Sequence, residues 1–130
     1  MDVKEEYLTI NDFVPTYFEN NKLYYCGDNK PSVDTPVQIK LYNKLPNINY
    51  MIHSHCYIES APFTEYSIPC GAIEEADEVI KGLMKNYGSL ELEQYVINLL
   101  GHGSICMGKT IENITGLTYT GRKLPEKMFK

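Results

Sequence analysis

Residues 49–56, which read Asn-Tyr-Met-Ile-His-Ser-His-Cys, decide the organisation of this chain. A short apolar run at 50–52 precedes His53 and His55, two histidines separated by a single residue. Such a run is typical of a buried strand. Because side chains two residues apart leave the same face of a strand, both imidazoles are expected on one face of a sheet. The stretch therefore predicts a strand that carries two potential metal ligands at its end.

The remaining histidine, His102, lies in residues 99–108, Leu-Leu-Gly-His-Gly-Ser-Ile-Cys-Met-Gly. The glycines around it predict a loop between two strands, 95–100 and 104–107. A lone histidine is more often structural than a ligand, but all three histidines of this chain lie where strands meet glycine-rich loops. A catalytic divalent-metal site takes three protein ligands and leaves one position for water or substrate. Three histidines in this arrangement fit such a site.

The segment that precedes the histidine strand offers a carboxylate and a hydroxyl. Residues 30–37, Lys-Pro-Ser-Val-Asp-Thr-Pro-Val, predict the start of a helix that runs to about residue 44. Asp34 is either an N-cap residue or a group that binds the metal and acts as acid/base once substrate displaces it. Ser32 is likewise either a cap or part of an anion site at the helix N-terminus. The sequence leaves both pairs of alternatives open.

Four further elements follow from pattern alone. A hairpin is expected over 13–27, around Asn20-Asn21, because asparagine tolerates the positive φ of a tight turn. A short helix is expected at 57–61. The strongest helix pattern covers 73–86, with acidic residues early and lysines late. A final helix is expected to begin after Thr110 and to end before Gly121.

Composition bounds the class of protein. The chain has 130 residues, a length that suits one domain with one core. A net charge of −5 gives no reason to expect nucleic acid or an anionic membrane as partner. We expect a cytoplasmic protein, since no apolar run approaches a membrane span. The four cysteines show no CxxC spacing and are expected to be buried, reduced thiols.

Three ordered blocks between about residues 8 and 113 resemble the class II aldolase/adducin family. Residues 30–38 are similar to the family's Pro-Ser-Ser-Glu-Thr-Pro segment and its helix. Residues 50–55, Tyr-Met-Ile-His-Ser-His, resemble its zinc-binding strand. Residues 100–109 resemble the His-Gly loop that brings the third zinc histidine. Each block is modest evidence, and three in the right order and spacing are a specific match.

The resemblance implies zinc, or another divalent metal, on His53, His55 and His102. It implies that Asp34 is the catalytic acid/base and that Ser32 binds a substrate phosphate. The implied activity is an aldolase-type carbon–carbon lyase that acts on a small hydroxy-carbonyl or sugar-phosphate substrate through a metal-stabilised enediolate. The alternatives are a sugar-phosphate 4-epimerase or dehydratase of the same fold, or a non-catalytic scaffold as in the adducin branch. A homo-oligomer with sites near subunit junctions is also implied.

The implied fold is α/β, a three-layer α/β/α arrangement with a mainly antiparallel central sheet. We expect a single domain over residues 1–130 that lacks the family's N-terminal portion. Asp34 stands where most members have Glu, and Val33 replaces a second phosphate-binding serine. Glu65 and Tyr66 are the nearby candidates for a second acid/base group.

Overall fold

The structure is a computed structural model that describes residues 12–120. These residues form five strands, two α-helices and one turn of 3-10 helix. The elements in chain order are β1 (Thr16–Glu19), β2 (Lys22–Tyr25), α1 (Thr35–Lys44), β3 (Tyr50–Ser54), α2 (Glu74–Tyr87), β4 (Gln94–Leu99), β5 (Gly103–Gly108) and the 3-10 helix Ile111–Ile114.

A three-stranded antiparallel sheet in the order β3-β5-β4 is the frame of the molecule. The predicted histidine strand is its edge strand β3, and the two strands predicted around His102 are β4 and β5. In the register, His53 lies opposite Ile105, and Ile97 lies opposite Ile105 on the other side. Residues directly opposite each other share a face, so His53 points to the same face as these two core isoleucines. The mainly antiparallel α/β prediction is confirmed.

Both helices cover that face. α1 contributes Val37 and Leu41, and α2 contributes Ala76, Val79 and Leu83 to one core cluster with the sheet. Each set repeats every three or four residues, which places it on one side of its helix. The core lies between this helix pair and the sheet residues Tyr95, Ile97, Leu99, Ile105 and Met107. At about 1.5–3 kcal/mol for each large buried apolar side chain, this face supplies most of the folding energy.

The opposite face of the sheet carries a smaller cluster made of Ile58, Ala61, Cys106 and Ile114. Irregular chain and the 3-10 helix cover it, so no second helical layer is seen among residues 12–120. The predicted helix at 57–61 is wrong: this segment is a turn in which Ser60 has a φ of 66°. The final helix is also shorter than predicted, although it does begin after Thr110, whose backbone N–H donates to the side-chain oxygen of Asn113 at 3.0 Å.

Asn98 ties the irregular layer to the sheet. Its side-chain oxygen accepts the backbone N–H of Ile58 at 2.7 Å. Its amide nitrogen donates to the carbonyl oxygens of Ile58 at 2.9 Å and Ala61 at 3.2 Å. All three bonds are buried, and Asn98 is 1% exposed. An asparagine on the face of the sheet opposite the helices thus replaces the backbone pairing that a regular element would give to residues 58–61.

We expect Asn98→Leu to lower the free energy of unfolding by about 2 kcal/mol or more, because it removes the buried hydrogen bonds of the Ile58 N–H and the Ala61 carbonyl. The Ile58 carbonyl loses one donor but still accepts the backbone N–H of Ala61 at 3.3 Å. Asn47→Ala is the matched control, since Asn47 makes one exposed bond to the carbonyl oxygen of Glu91 at 2.7 Å. That control should cost under about 1 kcal/mol. Urea unfolding followed by circular dichroism measures both, and equal effects would contradict the structural role of Asn98.

The predicted hairpin is confirmed. β1 and β2 pair antiparallel, and Asn20 and Asn21 have φ values of 52° and 63° in the two-residue turn. Positive φ at both positions is the geometry that a tight hairpin favours and that asparagine tolerates. Large apolar side chains of the hairpin are exposed, among them Tyr17, Phe18, Tyr24 and Tyr25.

The cysteine and membrane predictions have mixed outcomes. Cys106 is buried, as predicted, but Cys56 is only partly buried, and Cys26 and Cys70 are exposed. The expectation of four buried thiols is therefore wrong. None of the helices in the described part of the chain is long and apolar enough to cross a bilayer.

The small cluster, against which Tyr119 packs, also makes the stability sensitive to high pH. Burial raises the pKa of the Cys106 thiol and raises the pKa of Tyr119 to about 12. An unfolded tyrosine ionises near pH 10, so above about pH 9 the unfolded chain binds fewer protons than the folded protein. Stability therefore falls as the pH rises. We expect Tyr119→Phe to reduce this loss, measured as urea midpoints at about pH 8 and 10.5; an unchanged loss would contradict it.

Candidate metal centre

The carboxyl end of β3 and the β4–β5 turn form one corner of the sheet, and the N-terminus of α1 meets them there. Here the structure brings together the three histidines and Asp34, which the sequence singled out as metal ligands and acid/base group. One potential ligand atom from each of Asp34, His53, His55 and His102 lies within 4.8 Å of the others. The three imidazole centroids are 4.6–5.5 Å apart. Side chains separated by 68 positions in sequence thus face one point.

Three side chains of this cluster are largely buried and the fourth is exposed. The side chains of Asp34 and His53 are each 8% exposed and that of His102 is 2% exposed. His55, one residue past the end of β3, is exposed. The group is therefore buried at Asp34, His53 and His102 and reaches solvent at His55.

Glycine makes the corner possible. Gly103 starts β5 directly beside the end of β3, with a φ of +153°. A Cβ atom at this position would lie 2.0 Å from the carbonyl oxygen of Ser54 and 2.8 Å from the Cα of His55. No side chain fits there, so only glycine lets the His102 turn approach the His53/His55 strand this closely.

Backbone contacts set the orientation of His53. Its Nδ1 lies 3.0 Å from the carbonyl oxygen of Ser104 on β5. A carbonyl only accepts, so Nδ1 carries the proton and Nε2 presents its lone pair. Burial lowers the pKa of His53, the neighbouring His102 and His55 lower it further, and the Ser104 carbonyl and Asp34 oppose this. The neutral ring is the favoured form.

Asp34 faces this lone pair. Its Oδ2 lies 3.2 Å from Nε2 of His53 and 3.6 Å from Nε2 of His102. Nevertheless, the buried Nε2 of His53 has no hydrogen-bond partner of acceptable geometry among the described residues. Two acceptors in such proximity repel unless a proton or a cation lies between them. Since a proton on His53 is disfavoured, a cation satisfies this arrangement best, and the His/Asp group can hold a metal ion.

The structure separates the two roles that the sequence left open for Asp34. Asp34 is the N-cap residue of α1 by position, yet its side chain makes no capping hydrogen bond. Its Oδ1 instead accepts the backbone N–H of Gly71 at 3.1 Å, from the turn before α2. The carboxylate is thus directed away from the helix end and into the cluster.

The other candidates are Ser32, Glu65 and Tyr66. Ser32 is exposed, and its hydroxyl oxygen accepts the backbone N–H of Asp34 at 3.1 Å. Glu65 forms ion pairs with Lys81 at 3.2 Å and Lys85 at 2.9 Å, and the Tyr66 ring lies under Lys81. Glu65 is not a member of the His/Asp group, and its carboxylate and the Tyr66 ring contact lysines of α2 instead.

One residue of the site, Glu75, is not among the residues that the sequence predicts for it. Its Oε2 lies 2.9 Å from Nδ1 of His102, and Glu75 is buried. In the sequence, Glu75 is one of several acids at the start of α2. The available signal was its spacing: it precedes Val79 by four residues and therefore lies on the apolar side of the helix. A carboxylate on a buried stripe requires a partner.

Comparison with known proteins identifies no relative. No protein-family description matches the chain, and neither curated proteins nor solved structures give a significant match. The resemblance to class II aldolases thus stays a prediction from three sequence blocks.

Proposed function

We propose that this protein is a divalent-metal-dependent lyase of the class II aldolase type, with zinc as the expected metal. It would cleave or form a carbon–carbon bond in a small hydroxy-carbonyl compound. In this proposal His53, His55 and His102 hold the metal, and Asp34 moves the proton. The three sequence blocks that suggested the family are the three segments that meet at the cluster, which supports the proposal.

The observation that carries the proposal is that two hydrogen-bond acceptors, one on His53 and one on Asp34, face each other at close range. Nε2 of His53 and Oδ2 of Asp34 lie 3.2 Å apart in a buried site, and neither can donate to the other when the neutral histidine carries its proton on Nδ1. A site built only for stability would place a donor between them. Imidazole nitrogens and a carboxylate oxygen are also the donor set that zinc prefers.

The chain's own residues divide the chemical work. When bound, a divalent ion supplies Lewis-acid polarisation of a substrate carbonyl and neighbouring hydroxyl. The Gly71 N–H holds Oδ1 of Asp34, so Oδ2 is the oxygen able to take a proton from substrate and return it to product. His53 and His102 are fixed through their Nδ1 atoms, which keeps their Nε2 atoms directed at the cluster. The exposed edge at His55 is the route for substrate.

The wider predictions belong to the same proposal. A three-layer fold and a homo-oligomer are features of a class II aldolase assembly, and apolar side chains exposed on the β1–β2 hairpin offer surface for a subunit contact. Phosphate recognition by Ser32 remains part of the proposal as well. An epimerase or dehydratase would use the same metal and carboxylate, and only its products would differ. A non-catalytic scaffold would have no use for the buried cluster.

The test compares Asp34→Asn with wild type. Zinc-loaded protein is incubated with a panel of three- to six-carbon hydroxy-carbonyl compounds, with and without phosphate, and products are followed by NMR. We expect cleavage, epimerisation or dehydration by wild type, and a rate reduced on the order of 100- to 10,000-fold by Asp34→Asn. Asp77→Asn is the matched control, because Asp77 is exposed and pairs with Lys40 at 3.0 Å. If no panel member reacts faster with wild type than with Asp34→Asn, the proposed function is wrong.

A further inference from the structure

Glu75 is a buried acid, and its one ion-pair partner in the described part of the chain is His102, which is positively charged only when protonated. Its side chain is 4% exposed and lies in the first turn of α2. It contacts Nδ1 of His102 at 2.9 Å. Burying a carboxylate costs several kcal/mol unless it is paired, so an acid at this position needs a compensating purpose. An apolar residue would fit the stripe of Ala76, Val79 and Leu83 without that cost.

The two fixed imidazoles of the cluster are held in different ways. His53 is held by a neutral backbone carbonyl, whereas His102 is held by a carboxylate. A carboxylate accepts only from a protonated Nδ1, so it selects the tautomer whose Nε2 lone pair faces Asp34. It also makes the imidazole a better electron donor at Nε2 than a neutral partner does.

The charges of the cluster also favour a role for Glu75 in binding a cation. Asp34 and Glu75 are both buried carboxylates that contact the imidazoles, and none of the ion pairs among residues 12–120 gives either one a lysine or arginine. Three neutral imidazoles with these two anions carry a charge of about −2, which a divalent cation neutralises. Removing the charge of Glu75 therefore removes half of the electrostatic complement of the ion.

We propose that Glu75 is a positioning residue for the metal centre: it fixes His102 in the Nδ1-protonated tautomer and strengthens the binding of a divalent cation through its charge. This inference rests on the proposed metal site. Glu75 is expected to act on the ion through His102 and not by contacting substrate.

The test measures zinc affinity by competition with a chromophoric chelator for wild type, Glu75→Gln and Glu75→Leu. Glutamine keeps an acceptor for Nδ1 but loses the charge, and leucine loses both. We expect zinc binding weakened about 10-fold by Glu75→Gln and up to about 100-fold by Glu75→Leu. Glu78→Gln is the matched control on the same helix, because Glu78 accepts the backbone N–H groups of Glu65 and Tyr66 at 2.9 and 3.0 Å. That control should bind zinc as wild type does.

A second readout needs no metal. Long-range proton–nitrogen NMR on metal-free protein should show His102 protonated on Nδ1 in wild type and in Glu75→Gln. In Glu75→Leu the tautomer should shift toward Nε2–H. A purely structural role would lower the thermal stability of the variants and leave both the tautomer and the zinc affinity unchanged.

These measurements distinguish failure of the inference about Glu75 from failure of the proposed metal site. If wild type binds zinc and both Glu75 variants bind it equally well, this inference is overturned and the metal centre stands. The same holds if His102 of wild type is protonated on Nε2. If wild type binds no zinc, the metal centre itself is wrong and this inference falls with it. Should Glu75→Leu not fold, Glu75→Gln decides alone.

Discussion

His55→Ala is expected to weaken zinc binding on the order of 100-fold while leaving the fold intact. Structural zinc sites bind with apparent free energies of about 10–16 kcal/mol shared among four ligands, so one ligand accounts for about 3 kcal/mol. His55 is the exposed member of the cluster and lies just beyond β3, so the core does not depend on it. Chelator competition measures the affinity, and circular dichroism measures the fold.

Glu59→Ala is the matched control for this variant. Glu59 is exposed and lies four residues after His55, outside the cluster. It should bind zinc with the affinity of wild type. Zinc affinity that is equal in wild type and His55→Ala would mean that the ion is held elsewhere, and the convergence of three imidazoles would then have no bearing on metal binding.

Gly103→Ala is expected to lower the free energy of unfolding by about 4 kcal/mol, or to prevent folding. The new Cβ would overlap the backbone of Ser54 and His55, and neither of these atoms can move aside without separating β3 from β5. Strain at the positive φ adds to this steric cost. Urea unfolding followed by circular dichroism gives the change.

Gly116→Ala is the comparison that separates sterics from backbone strain. Gly116 also has a positive φ, +75°, but a Cβ there meets nothing within 4 Å. It should cost only about 1 kcal/mol. Similar losses in the two variants would show that the close approach at Gly103 contributes little to stability.

Local signals accounted for much of the fold. The amphipathic pattern of α2 and the asparagine pair of the β1–β2 turn led to elements with nearly correct boundaries, because spacing and φ preference act over a few residues. The turn at 57–61 was misread as a helix because its conformation is set by Asn98, about forty positions away. No local pattern reports such a contact.

In the site, too, some features follow from local sequence and others depend on distant contacts. His53 and His55 were found by strand periodicity, and His102 by its glycines and by the family resemblance. The orientation of their nitrogens was not accessible, since it depends on the Ser104 carbonyl and on Glu75. The role of Asp34 was ambiguous because the same carboxylate serves a helix N-cap or a metal site. The tertiary contact with the Gly71 N–H decides the direction in which it points.

Anomalous X-ray diffraction at the zinc absorption edge, from crystals of zinc-loaded wild-type protein, tests the central claim most directly. We expect one anomalous peak at the corner where β3, the β4–β5 turn and α1 meet. The ion should lie about 2.0–2.1 Å from one nitrogen each of His53, His55 and His102. A protein that binds zinc but shows its peak on other residues, or no peak at this corner, would contradict it.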